Sequence, residues 1–214
     1  MKKFTIATVI FFAAILSSTT NAQLFSIGVG GGLTNVLGSE DYTNKISEFG
    51  FGYSTEWNVG VIAKLGLPLI PITPRAFILY HTLNSSEDII EPLGKGTIIN
   101  SSSIEYSQSI LSIGLGVQYG FIPVPAGIDP YLALDLLYNN FGEFKQTIAG
   151  NEETFDGESR FGLGLGVGAE VTIIPIINID FLLSYQMMNL VGKEDGEPSL
   201  STLTLDAFLL FSFL

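Results

Sequence analysis

The stretch from Phe161 to Val171 reads FGLGLGVGAEV, and it decides the fold class. Every odd-numbered position in it is apolar, and every even-numbered position is glycine or glutamate. Because successive side chains of a β-strand point to opposite faces, this alternation predicts a strand with two different surroundings. Together with the segments that follow, it predicts an all-β chain of eight strands. Similar alternation recurs at 25–33, 57–65, 111–119, 132–138, 177–185 and 203–213, and less regularly at 72–82.

The connections between these strands are of two kinds, and the two kinds alternate along the chain. Three connections are short or rich in proline, whereas four are long and polar. A barrel that crosses an outer membrane has short turns on its periplasmic side and long loops outside the cell. We therefore predict a closed, eight-stranded, antiparallel up-and-down transmembrane β-barrel. The short connections are at 66–71, 120–129 and 172–176, and the long ones are at 34–54, 84–102, 141–158 and 189–199.

The composition excludes several classes of protein. Of the 214 residues, 47% are hydrophobic and 14% are charged, which is too apolar for an ordinary soluble surface and too hydrophobic for a disordered chain. The absence of cysteine excludes disulfides and thiolate metal sites. The formal net charge of -12 argues against nucleic acid as a partner, because affinity for phosphates comes from Lys and Arg.

The N-terminus has the layout of an export signal. Lys2 and Lys3 precede an uncharged run at 4–16, and Thr20 to Ala22 supplies small residues for cleavage. The apolar run is too short for a spanning helix, which needs about 20 residues. We therefore predict that residues 1–22 are a cleaved signal peptide and that residues 23–214 form the barrel.

The two faces of the strands differ, which indicates where each one points. The apolar face runs for about nine to eleven residues, the length with which a tilted strand crosses a bilayer. The other face is largely glycine, which leaves room for long side chains from across a narrow lumen. A soluble barrel would instead need a polar outer face. We expect the apolar face to contact lipid and the glycine face to line the lumen. The inward glycines are at 28, 30, 32, 60, 114, 116, 162, 164, 166 and 168.

Aromatic residues on the outward face fall at two levels, as in the aromatic girdles of outer-membrane barrels. The predicted outer girdle consists of Trp57, Tyr80, Tyr138, Phe161 and Tyr185. The predicted inner girdle consists of Phe25, Tyr119, Phe211 and Phe213.

With these features, the chain resembles the small eight-stranded outer-membrane barrels of the OmpA/OmpX-like group, in particular the generic outer-membrane β-barrel domain proteins of the Bacteroidetes type. The last strand, from Leu203 to Leu214, alternates and carries aromatic residues close to its end, as the insertion signal of the family does. The resemblance implies a location in the outer membrane of a Gram-negative-type bacterium. It also implies outer-membrane lipids and the barrel-insertion machinery as partners.

Charged residues on the inward parity are candidates for a functional site. Isolated buried charges are costly, so we expect these groups to pair and hold the lumen shut. The alternative is a narrow polar path for ions or small molecules. The predicted lumen charges are Glu56, Lys64, Arg75, Asp135, Arg160, Glu170, Asp180 and Asp206, with Gln118, Asn178 and Gln186 beside them.

Little in the sequence indicates catalysis. His81 is the only histidine, and no serine lies in a nucleophile motif. Some relatives implied by the resemblance are lipid-modifying enzymes, so this activity is a third alternative. We predict no catalytic, metal or cofactor residues, although the acidic long loops are candidates for weak divalent-cation binding. A structural or surface-interaction role is the first expectation, and the extracellular partner stays unknown.

Overall fold

The structure is a computed structural model that describes residues 25–67, 70–92, 99–121 and 127–213. The predicted signal peptide lies outside the described residues. Two short helical segments, α1 (Glu40–Thr43) and a 3₁₀ turn (Ile46–Glu48), follow the first strand. No helix in the described part of the chain combines the length and hydrophobicity that crossing a membrane requires. The strands are β1 (Phe25–Gly38), β2 (Thr55–Leu65), β3 (Ile72–Pro92), β4 (Ile99–Gly120), β5 (Ile128–Phe141), β6 (Phe144–Ile148), β7 (Asn151–Phe155), β8 (Ser159–Ile174), β9 (Ile177–Val191) and β10 (Leu200–Phe213).

Eight of these strands form a closed antiparallel barrel, which confirms the predicted fold. The pairing runs β3-β2-β1-β10-β9-β8-β5-β4, and β3 pairs with β4 to complete the ring. The first and last strands pair along their whole length, from Phe25 opposite Phe213 to Gly38 opposite Leu200. Closure satisfies the backbone groups of every barrel strand, which is the condition for a β-structure in lipid.

The outward face is apolar and uncovered. Leu115 and Val167, in the middle of their strands, are 63% and 52% exposed, and each has glycine neighbours that face the lumen. All nine predicted girdle residues lie on the outer surface, with exposed fractions between 38% and 57%. That they mark the two membrane interfaces stays a prediction.

The inward glycines make space for large side chains on the neighbouring strand. Gly114 lies opposite Phe77 in the β3–β4 register, and a Cβ atom added to it would collide with the phenyl ring. Gly168 lies opposite Tyr131, and Gly30 lies opposite Phe208, with the same consequence. The expectation that these side chains come from across the lumen was therefore wrong at these positions, because the adjacent strand supplies them.

Two of the predicted long loops are mostly strand. The β3–β4 ladder continues well beyond the barrel, up to the pair of Pro92 and Ile99. Within 141–158, β6 and β7 form a hairpin that pairs with β4 through Ser107 and Lys145. The extended halves of β3 and β4 therefore join β6 and β7 in a four-stranded sheet outside the barrel, which we call the outer sheet.

The segment after β1 folds back onto this sheet. Tyr42, Phe51 and Tyr53 pack with Tyr106 of β4 and Phe144 of β6, and the rings of Phe51 and Tyr106 are 5.3 Å apart. We call these five residues the aromatic cap. The cap is continuous with the apolar side chains inside the barrel.

A charge on the outward face should destabilise the barrel strongly. We expect Val167→Arg and Leu115→Arg to lower the free energy of unfolding by about 2–4 kcal/mol, the cost of arginine near the bilayer midplane. Urea titration of the protein refolded in lipid measures the effect. Ser54→Arg is the control, because Ser54 is exposed and lies outside the strands. Equal losses at the three positions would mean that the faces are assigned wrongly.

The glycines should differ in their tolerance of a methyl group. Gly114→Ala overpacks the site against Phe77 and should lower the free energy of unfolding by about 1–3 kcal/mol. Gly164→Ala is the matched control, because the nearest atoms to its added Cβ are at an ordinary contact distance of 3.4 Å. Shortening the ring in Gly114→Ala/Phe77→Leu should recover part of the loss. Equal tolerance at 114 and 164 would contradict the cross-strand packing.

Candidate functional site

The barrel interior is the candidate site, and all eight predicted lumen charges lie at strand positions that face inward. Glu56 and Glu170 are partly buried, and the other six are buried. Six of the eight fall into three groups along the barrel rather than one network, and Arg160 and Glu56 lie outside these groups. The positions of the groups follow from the strand register, because residues that face each other across a ladder share one level.

The first group surrounds Lys64 near the short-turn end of the barrel. Its Nζ atom is 3.0 Å from Oε2 of Glu170 and 2.7 Å from Oδ2 of Asp180. Tyr131 donates a hydrogen bond of 2.6 Å to the other oxygen of Asp180, and Asn178 donates one of 2.7 Å to Glu170. Both acids therefore keep a cationic partner and a neutral donor.

The second group is the ion pair of Arg75 and Asp135, whose side chains are 0% and 1% exposed. Arg75 donates from Nε to Oδ1 at 2.8 Å and from Nη2 to Oδ2 at 2.5 Å, which is the fork geometry of a strong guanidinium–carboxylate pair. Gly116 stands between the two residues in the register, and a Cβ there would collide with Asp135. The glycine is thus what lets the pair form across β4.

Arg75 is also the register partner of Lys64, so two cations are neighbours on β2 and β3. Like charges opposite each other on one face are destabilising. The carboxylates of Asp135, Asp180 and Glu170 offset this repulsion, which links the first two groups electrostatically.

The third group is a hydrogen-bonded belt around Asp206. Asn58 donates to Oδ1 of Asp206 at 2.8 Å, and Thr204 donates to Oδ2 at 3.0 Å. Asn58 also donates to Thr34, whose hydroxyl is 3.0 Å from Nδ1 of His81. In the described part of the chain, neither Asp206 nor Glu56 has an ion-pair partner within 4 Å. Neutral donors therefore solvate the carboxylate of Asp206.

Arg160 lies at the outer end and does not pair with another predicted lumen charge. It binds Glu197 through Nε and Nη2, the latter at 2.7 Å, and it also binds Glu158. Asn189 donates to Glu197 at 2.8 Å and so holds the segment between β9 and β10 against the barrel. This arrangement differs from the expected pairing inside the lumen because acids from the connecting segments reach Arg160.

Sequence reasoning missed several parts of the lumen. Tyr131 and Asp135 are four residues apart on β5, so the alternation along this strand already predicts that both side chains point into the lumen. The partner role of Glu197 had no such signal, because that residue lies outside a strand. A large apolar cluster was also missed, since isolated inward residues such as Ile62 interrupt the polar face. Its buried members in the barrel strands are Val36, Ile62, Phe77, Leu79, Leu83, Ile110, Leu137, Met188, Leu200, Phe208 and Leu210.

The lumen offers little reactive chemistry. His81 and Thr34 form the one histidine–hydroxyl contact among the described residues, and both residues are 0% exposed. In the same part of the chain, no group of three or more His, Asp or Glu side chains is arranged to hold a metal ion. Binding of divalent cations by the acidic loops stays a prediction.

A closed eight-stranded barrel whose exterior is apolar and whose interior holds the charged and hydrogen-bonded groups defines an outer-membrane β-barrel protein. The family model described as "Outer membrane protein beta-barrel domain" matches residues 4–207, and the chain belongs to this family. Its predicted location in the outer membrane is thereby confirmed.

Solved structures share the fold at low sequence identity. Neisserial surface protein A has a TM-score of 0.59 at 14% identity, with 90% of this chain and 99% of that chain covered. A major outer membrane protein from Thermus thermophilus has a TM-score of 0.55 at 16% identity, with coverages of 89% and 98%. These similarities establish the architecture alone. No curated protein matches the chain.

The two arginines should differ in their contribution to stability. Arg75→Ala leaves the buried carboxylate of Asp135 without its partner and should lower the free energy of unfolding by about 3–5 kcal/mol. Arg160→Ala is the matched comparison, because its partners Glu158 and Glu197 are 49% and 20% exposed and water replaces the guanidinium. We expect a loss of about 1 kcal/mol or less there. Urea titration distinguishes the two, and similar losses would contradict the assigned burial.

The segment around Glu197 should respond to acid. Partial burial raises the pKa of Glu197, but hydrogen bonds from Arg160, Asn189 and the backbone of Glu194 outweigh it, and the pKa lies below its ordinary value. Its stabilising effect is therefore complete above the ordinary pKa of about 4.3 and is lost as pH falls through the lower folded value. The protection of the backbone amides of residues 192–199 against hydrogen exchange, measured relative to their intrinsic exchange rates at each pH, should decrease in that range. In Glu197→Gln the protection of these amides should already be lower than in the wild type at neutral pH, and it should show no further decrease in the acid range.

Proposed function

We propose that this protein is a non-conducting outer-membrane barrel with a structural or surface-interaction role. The observation that carries the proposal is the filling of the interior by side chains from all eight barrel strands. Large residues such as Tyr131, Phe208 and Leu137 are at most 2% exposed although they face the lumen. A water-filled channel would leave inward side chains accessible.

Two kinds of contact support a closed lumen. Ion pairs and hydrogen bonds bridge the polar groups at the level of Lys64, Arg75 and Asp206. Apolar side chains fill other levels, and the aromatic cap continues them toward the outside. A pore for ions would need a continuous polar and hydrated path, which tightly packed phenyl and isobutyl groups interrupt.

The outer sheet supports a role at the cell surface. A barrel that served only as a membrane anchor would need no strands beyond the bilayer, yet β3 and β4 continue for eleven residues past the pair of His81 and Ile110. The sheet therefore gives the protein a folded surface outside the membrane, held in place by continuous strands.

Planar-bilayer recording tests the proposal. We expect the refolded wild type to show no steady conductance. Phe77→Ala/Phe208→Ala removes two inward rings and should introduce conducting events, whereas the outward control Leu115→Ala should stay silent. Steady high conductance of the wild type would contradict the proposal and favour the channel alternative.

A further inference from the structure

A groove lies on the outward face at the base of the outer sheet. Along β3 the side chains on the outward face change from the apolar Ile78 and Tyr80 to the polar Thr82 and Asn84. On the paired strand β4 the outward side chains change in the same way, from Leu111 to Ser109 and Ser107. A cavity of about 370 Å³ opens between these rows and the start of β6. Tyr80 belongs to the predicted outer girdle, so this groove stands directly above it, at the level of the lipid headgroups.

The lining of the groove is polar but almost neutral. Besides Tyr80, it combines the hydroxyls of Thr82, Ser107 and Ser109, the amides of Asn84 and Gln108, and one charge of each sign from Glu143 and Lys145. This balance contrasts with the chain as a whole, whose net charge is -12. Lys145 already lies 3.6 Å from a carboxylate oxygen of Glu152 on β7, so it gives little attraction for phosphate, because anion binding relies on uncompensated cations.

An aromatic platform borders the groove on its membrane side. The ring of Tyr80 is 41% exposed and lies 6.3 Å from the ring of Trp57. Ser107 donates a hydrogen bond of 2.9 Å to the side-chain carbonyl of Asn84, which leaves the amide NH₂ of Asn84 as a donor toward the groove. Sugars present hydroxyls at their edges and flat C–H faces, so hydroxyl and amide groups beside aromatic rings match both parts.

We propose that this groove binds the saccharide headgroup of an outer-leaflet glycolipid. The membrane holds the acyl chains against the outward face below Tyr80, and the first sugars then lie along Ser107 and Asn84. The site goes beyond the proposed function and does not depend on whether the lumen is closed. It requires only the outer-membrane location and the geometry of the groove.

Trp57 makes the proposal testable, because it is the only tryptophan in the chain and its ring adjoins Tyr80. We would titrate the refolded protein in detergent micelles with rough-type lipopolysaccharide, with its delipidated core oligosaccharide and with phosphatidylglycerol. The expected result is a saturable change in Trp57 fluorescence with the lipopolysaccharide and with the oligosaccharide, and none with phosphatidylglycerol. A response to the intact glycolipid without one to the oligosaccharide would overturn the proposal, because the acyl chains would then account for it.

Variants locate the binding. Ser107→Leu and Asn84→Leu change exposed groove residues and should each weaken the oligosaccharide response by about tenfold, the effect of losing one hydrogen bond. Thr172→Leu is the control, because Thr172 is an exposed hydroxyl at the short-turn end of β8, at the opposite end of the barrel from the groove. Heat-modifiable gel mobility checks that each variant is folded. An unchanged response in both folded groove variants, or an equal loss in Thr172→Leu, would overturn the assignment.

Discussion

The narrow interior of an eight-stranded barrel constrains this structure more than any single bond does. Eight strands enclose only enough room for side chains to meet, so each level of the lumen must balance large residues against small ones. Here the balance is made between neighbouring strands: a glycine on one strand faces a ring or a long side chain on the next. Gly114 with Phe77 and Gly168 with Tyr131 are examples.

The electrostatics of the lumen depend on the same constraint. Arg75 reaches Asp135 across β4 because Gly116 has no side chain in the path. Burial then strengthens the pair, since little water screens it, and makes the loss of either partner costly. The belt around Asp206 shows the alternative solution, in which neutral amide and hydroxyl donors satisfy a carboxylate.

Alternation predicted the barrel because the two environments, lipid and lumen, impose opposite chemistry on successive residues. It therefore assigned the outward face and the inward parity of residues such as Asp180 correctly. It could not predict which charges meet, because pairing depends on register, tilt and the reach of each side chain. Arg160 illustrates this limit, since its partner Glu197 lies outside the strands.

The outer sheet was missed for a related reason. In the sequence, Asn84 to Glu87 and Ser101 to Ser103 carry no apolar alternation, so these segments read as loop. The strands continue because the backbone ladder is already aligned by the barrel below it.

The most direct test of a filled lumen is chemical access to a single inward thiol. The chain has no cysteine, so Ser112→Cys and Ser184→Cys each introduce one thiol at an inward position that is at most 1% exposed. In lipid vesicles, a membrane-impermeant methanethiosulfonate reagent should leave both thiols unmodified while it labels Ser54→Cys rapidly. Labelling of the inward thiols at the rate of Ser54→Cys would show that water fills the barrel and would contradict the account.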